Sequence, residues 1–144
     1  MLLKVGELAK RTGVTVRALH HYDSIGLLRP SGRSEGGYRL YNLGDVARLH
    51  GIQTLRRMGV PLAEMAQLLD GGARSLQAIL ARQLSTLDQE IARTQALRDR
   101  LSVMQHVLAG GGQPEIDDWL ASLAMMSTFE KYFSIGELKL AFRR

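Results

Sequence analysis

The sequence of 144 residues contains no cysteine. Thiolates hold soft metal ions and carry iron–sulfur clusters, so thiolate metal sensing and iron–sulfur redox sensing are both excluded. Histidine does not fill the gap: His20 and His21 are adjacent and diverge by about 100° on a helix, while His50 and His106 stand alone. No metal or other cofactor is therefore expected. No apolar run approaches the length of a bilayer span, and the opening Met1-Leu2-Leu3-Lys4 lacks a signal-peptide core, so a cytoplasmic protein without membrane contact is expected. Motif spacing assembles no nucleophile, general base and orienting group, which argues against an enzyme.

What is present is unevenly distributed. Residues 1–57 carry ten Lys/Arg against four Asp/Glu, whereas residues 58–144 carry nine against ten. The whole basic excess therefore lies in the first part of the chain. Such asymmetry points to nucleic acid, because neutralising phosphates releases counterions and supplies most non-specific affinity. Hydrophobic content of 45% suffices for a small core.

The basic part opens with two short helical patterns around a glycine. Val5, Leu8 and Ala9 form the inward stripe of the first, and Gly13 suits a left-handed stop. Thr15 offers an N-cap to the second, whose inward positions are Val16, Leu19 and Tyr22 or Asp23. Arg17, His20 and His21 then face outward, where a recognition helix carries its DNA contacts. Taken alone, this helix-turn-helix reads equally well as a helical hairpin with a solvated polar face.

The next segment favours DNA. After Leu27-Leu28-Arg29-Pro30, the glycine-rich Ser31–Gly37 leads into Tyr38-Arg39-Leu40-Tyr41 with alternating polarity, the pattern of a β-hairpin wing. Arg33 and Arg39 supply cations, and Tyr38 and Tyr41 supply amphipathic rings that can meet a phosphate backbone. The expected contacts to double-stranded DNA are thus Thr15, Arg17, His20, His21, Tyr22, Arg33, Tyr38, Arg39 and Tyr41. Asn42 and Asp45 then open a helix ending at Arg56 and Arg57, whose charges suit its C-terminus. Pro61 fits the first turn of a further helix burying Leu62, Met65, Ala66 and Leu69.

Beyond Gly71-Gly72, Leu80, Leu84, Leu87, Ile91, Thr94, Leu97, Leu101, Met104 and Leu108 recur at a mean step of 3.5 residues. That is a coiled-coil seam with one phase change near Thr94. The cheapest cover for it is an antiparallel copy, so a homodimer is expected, reading two related half-sites. After the hinge Ala109–Pro114, a short helical tail carries Trp119, Met126, Phe129, Tyr132 and Phe133. These line an apolar ligand pocket or, as stripes at helical spacing more often do, a core or dimer contact. Ser134 and Glu137 form a capping-box pattern for a last helix. The expected organisation is mainly α: a winged helix-turn-helix over 1–72, a dimerisation helix over 73–109 and a helical tail over 110–144.

Val5-Gly6-Glu7-Leu8-Ala9, Gly13 through Asp23, Ile25-Gly26-Leu27-Leu28 and Gly37-Tyr38-Arg39-Leu40-Tyr41 resemble, in order and spacing, the MerR family of bacterial transcription regulators. The paired histidines before Tyr22 and the run Thr128–Phe133 resemble its TipA-like subgroup. This resemblance implies a second wing, formed by the helix ending at Arg56 and the one after it, from which Arg56 or Arg57 reaches phosphate; Arg56 thus joins the expected DNA contacts. It implies a nucleoid-associated dimer on a promoter with an overlong spacer. Bending and untwisting that DNA lets RNA polymerase engage both promoter elements, at a deformation cost of about 1–6 kcal/mol. It also implies a small-molecule inducer and a larger C-terminal sensing domain, of which this sequence would hold only the first helices. The other reading is a constitutive or architectural DNA-binding repressor with no ligand switch.

Overall fold

The structure, a computed structural model, describes residues 1–127. Its elements are β1 (Leu3–Lys4), α1 (Val5–Thr12), α2 (Val16–Ser24), β2 (Gly32–Arg33), β3 (Arg39–Tyr41), α3 (Leu43–Arg57), α4 (Leu62–Leu69), α5 (Ala73–Ala109) and α6 (Ile116–Met126). The expected mainly helical fold, with its helix-turn-helix, wing and long helix, is the fold observed. The expected tail contacts Phe129, Tyr132 and Phe133, and the Ser134–Glu137 pattern, lie outside the described residues.

Local chemistry sets the boundaries. Gly13 takes φ 77°, and its N–H donates to Ala9 O at 2.9 Å, closing α1 where a Cβ would be strained. Thr12 Oγ1 donates to Leu8 O at 2.7 Å and accepts from Val14 N–H at 3.2 Å, which fixes the turn from both sides. Thr15 Oγ1 then accepts from Ala18 N–H at 3.0 Å as the N-cap of α2. Asn42 and Asp45 form a reciprocal capping box at the start of α3. Pro61 precedes the first turn of α4 rather than lying within it: its ψ of 147° is extended, so the helix starts at Leu62.

The three strands make an antiparallel sheet in the order β1-β3-β2, with Leu3 opposite Tyr41 and Arg33 opposite Arg39. β1 went unread in the sequence, because two residues carry no detectable alternation.

The chain divides into two compact units, Met1–Leu84 and a second starting at Ser85. In the first, Leu8 of α1, Leu19 of α2, Tyr41 of β3, Ile52 of α3 and Met65 of α4 are fully buried in one cluster. Each such apolar side chain contributes about 1.5–3 kcal/mol of transfer free energy. Ile79 belongs to this cluster and Leu76 packs against it, so the opening turns of α5 are part of the N-terminal core. The region expected over 1–72 thus takes part of its apolar cover from the helix that follows it. Gly51 permits the packing: a Cβ there would lie 2.6 Å from Leu69 Cδ2 and 3.0 Å from Leu76 Cδ2.

In the second unit, α6 lies against the C-terminal part of α5. Arg100 Nη1 reaches Asp118 Oδ1 at 3.3 Å, and Ser122 Oγ reaches Met104 Sδ at 3.3 Å. Leu97 and Met104 are buried within one chain, Met104 against Ser122 of α6. Both were expected in the dimer seam. The other expected seam residues, Leu80, Leu84, Leu87, Ile91, Leu101 and Leu108, are 42–66% exposed.

Candidate nucleic-acid interface

α2 presents its polar face as its spacing requires, but Val16, expected on the inward stripe, is exposed at the first position of the helix. Leu19 and Tyr22 turn inward, and Arg17, His20 and His21, separated by three and four residues, share one exposed face. Arg17 and His20 keep their full hydrogen-bonding capacity for a partner among the described residues, and the His21 ring lies 6.5 Å from that of Tyr22 at 46°. Thr15 is exposed at the head of the helix with its hydroxyl engaged in capping, so any contact it makes is additional to that role.

Two expected contacts are core residues instead. Tyr22 is buried, and its hydroxyl accepts from Gln53 Nε2 of α3 at 3.3 Å. Tyr41 is also buried, and no partner reaches its hydroxyl among the described residues. Burial pushes its pKa above the ordinary value of 10.0; Arg39 opposes this, while Asp23 and Asp45 add to it. Both rings belong to the buried cluster of the first unit.

The wing is a tight ribbon. Ser34 N–H donates to Tyr38 O at 2.9 Å, Gly37 N–H donates to Ser34 O at 2.9 Å, and Gly37 has φ 80°. Arg33 Nη1 donates to Gly37 O at 3.2 Å while its side chain stays exposed. Tyr38 is exposed at the ribbon, with Lys4 Nζ 5.3 Å from its ring centroid. Arg39 differs: its Nε donates to Asp23 Oδ2 of α2 at 2.8 Å, and both side chains are largely covered. Expected as a phosphate contact, Arg39 has its Nε engaged in this partly buried ion pair.

Several participants were not read from the sequence. Lys4 enters through β1, which was itself missed. Asp45, read only as a helix-start charge, accepts from Ser31 N–H and Ser31 Oγ and ties the wing's first strand to α3. Arg48 donates from Nε to Leu27 O at 2.7 Å and from Nη2 to Asp70 Oδ1 at 3.0 Å, joining three segments. Arg56 is exposed and lines, with Gly13, Val14, Thr15 and His50, a groove of about 570 Å³ beside the helix-turn-helix turn. Among the described residues, no cluster of three or more His, Asp or Glu is arranged to hold a metal ion, and no helix is long and apolar enough to cross a membrane.

A capped, glycine-turned helix pair joined to a three-stranded wing and carrying the chain's basic excess defines a winged helix-turn-helix of the DNA-binding class. Residues 3–72 match the family described as MerR HTH family regulatory protein, and residues 46–104 match that described as MerR, DNA binding. The chain is 41% identical over 128 residues to nodulation protein NolA of Bradyrhizobium sp. (strain NC92), covering 89% of this chain and 53% of that protein. It is 47% identical over 97 residues to the HTH-type transcriptional activator TipA of Streptomyces coelicolor, covering 67% of this chain and 38% of that protein. The crystal structure of HTH-type transcriptional regulator SkgA from Caulobacter crescentus matches with a TM-score of 0.67 at 34% identity, covering 82% of this chain and 85% of that one. The chain therefore belongs to the MerR family, whose members are transcriptional regulators and not enzymes. It spans about half the length of its NolA relatives.

Proposed function

We propose that two copies of this chain bind a pseudo-palindromic promoter operator and activate transcription by distorting an overlong spacer in concert with RNA polymerase, in response to a small apolar ligand. The observation that carries the DNA half is the exposed face of Arg17, His20 and His21 on a capped α2, inside the unit that holds the basic excess. Arg33 and Tyr38 of the wing and Arg56 of α3 stand beside it as backbone contacts.

The dimer reading rests on the exposed stripe Leu80, Leu84, Leu87, Ile91, Leu101 and Leu108. A row of large apolar side chains along one helix is costly in water, and an antiparallel copy covers it with the same residues. A stiff paired helix then sets the half-site spacing, and contacts from two wings offset the cost of deforming the duplex. Activation is supported by the description of TipA as a transcriptional activator. Trp119 and Met126 remain partly exposed on α6, where an apolar ligand can reach them. This machinery would operate on the nucleoid in the cytoplasm.

The test has two parts. Selection from a random duplex pool should recover a pseudo-palindrome, and a circular-permutation gel should show that it is bent. In vitro transcription from that site should then rise with an apolar ligand while operator affinity changes little. Recovery of no palindrome removes the dimeric reading, and a bound but straight duplex removes the distortion mechanism.

A further inference from the structure

Asp23 lies in the last turn of α2, and Arg39 opens β3. Their ion pair, Nε to Oδ2 at 2.8 Å with side chains 27% and 19% exposed, joins the recognition helix directly to the wing. The sheet register places Arg39 opposite Arg33. Two cations facing each other across an antiparallel ladder repel, and Asp23 compensates one of them. Arg33 is left as the wing's exposed guanidinium, holding the turn through Gly37 O. At the wing's other strand, Asp45 takes both the N–H and the hydroxyl of Ser31. One carboxylate thus fixes the wing to the end of α2, and another fixes it to the start of α3.

We propose that Asp23 and Arg39 are positioning residues for DNA recognition: their ion pair locks the wing to the recognition helix, and Arg33, not Arg39, is the wing cation that meets phosphate. The inference rests on the DNA-binding reading above. It makes a prediction whose sign is opposite to simple electrostatics. Removing an anion beside a DNA-facing helix should tighten binding if charge alone counts. Removing a positioning anion should weaken binding, because the wing and the helix no longer hold one geometry and Arg33 and Arg39 are left to repel.

The experiment uses the full chain and a duplex recovered from a random pool by the unaltered protein, with affinity measured across a salt series. Asp23→Asn and Arg39→Gln should each bind about tenfold more weakly. The double variant Asp23→Asn/Arg39→Gln, in which a neutral amide pair replaces the ion pair, should bind no more weakly than either single variant. In DNA-free protein, amide exchange of the wing should quicken in both single variants while the core amide of Leu19 stays protected, which separates loosening of the wing from unfolding. Asp23→Asn binding as tightly as the unaltered chain, or tighter, overturns the proposal. So does a fall of about one in the salt slope for Arg39→Gln with no effect of Asp23→Asn, the signature of a phosphate ligand. If the unaltered protein recovers no duplex, the DNA reading fails first; the exchange measurement still decides the pair, and unchanged wing exchange in both variants overturns it.

Discussion

The two units differ in how much leucine they enclose. In Met1–Leu84, the leucines at 8, 19, 28, 49 and 69 are buried in a shared core, whereas in the second unit Leu97 is buried and Leu87, Leu101 and Leu108 along α5 are left in solvent. The difference lies in the elements. Short helices and a small sheet that cross one another can close around a few apolar residues, but a helix of 37 residues cannot cover its own stripe. Among the described residues of the second unit, Leu97, Met104, Pro114 and Ser122 are buried, and Met104 meets Ser122 of α6. Charge divides along a similar line, with the basic excess confined to residues 1–57. The first unit thus combines a closed core with the basic excess, while the exposed apolar stripe of α5 starts at its end and runs into the second.

The largest test of that contrast is dissociation. Leu84→Asp combined with Leu87→Asp should convert a dimer into a monomer, halving the sedimentation mass while helical circular dichroism persists; a surviving dimer breaks the comparison. Next, Leu19→Ala should cost about 2–5 kcal/mol in denaturant unfolding by opening a cavity in a closed core. By contrast, Leu84→Ala in a monomeric background should fall within about 0.5 kcal/mol. Equal costs would mean that the two leucines are equally buried in solution. Arg17→Ala should weaken DNA binding across sequences and lower the salt slope by about one. An unchanged slope in a salt titration takes Arg17 off the interface.

The smallest effect concerns Tyr41. Burial holds its phenol above the ordinary 10.0, so the folded state keeps a proton that the unfolded chain gives up. Its contribution to stability is therefore complete below about pH 10 and lost as pH rises through the folded pKa. Tyr41→Phe should flatten this alkaline loss in a series of unfolding curves. Near neutral pH it should change stability little, since the hydroxyl removed has no partner.

Much of the architecture was legible because single residues carried it. Gly13 announced the turn, Thr15 and Asn42 announced helix starts, and the 3.5-residue step announced α5, whose observed bounds are Ala73–Ala109. The tyrosines were less legible. Tyr22 and Tyr41 sit on patterns consistent with an inward or an outward face, and only the packing of α3 and β1 around them decides which. Arg39 could not be read at all in its observed role, because its partner Asp23 is 16 residues away in sequence. The packing of Leu76 and Ile79 was illegible for a similar reason: a continuous helical pattern gives no sign that they join a core built by earlier elements.

Arg48 binds the Leu27 carbonyl after α2 and the Asp70 carboxylate after α4 with one guanidinium. Release of the segment behind α2 and release of the end of α4 each take one partner from the same partly covered cation, which couples the two openings modestly, because the Asp70 side chain is 67% exposed. The recognition helix therefore draws on the stability of a neighbouring helix pair, and a lesion at Asp70, far along the sequence from α2, would surface as breathing beside the DNA-reading face.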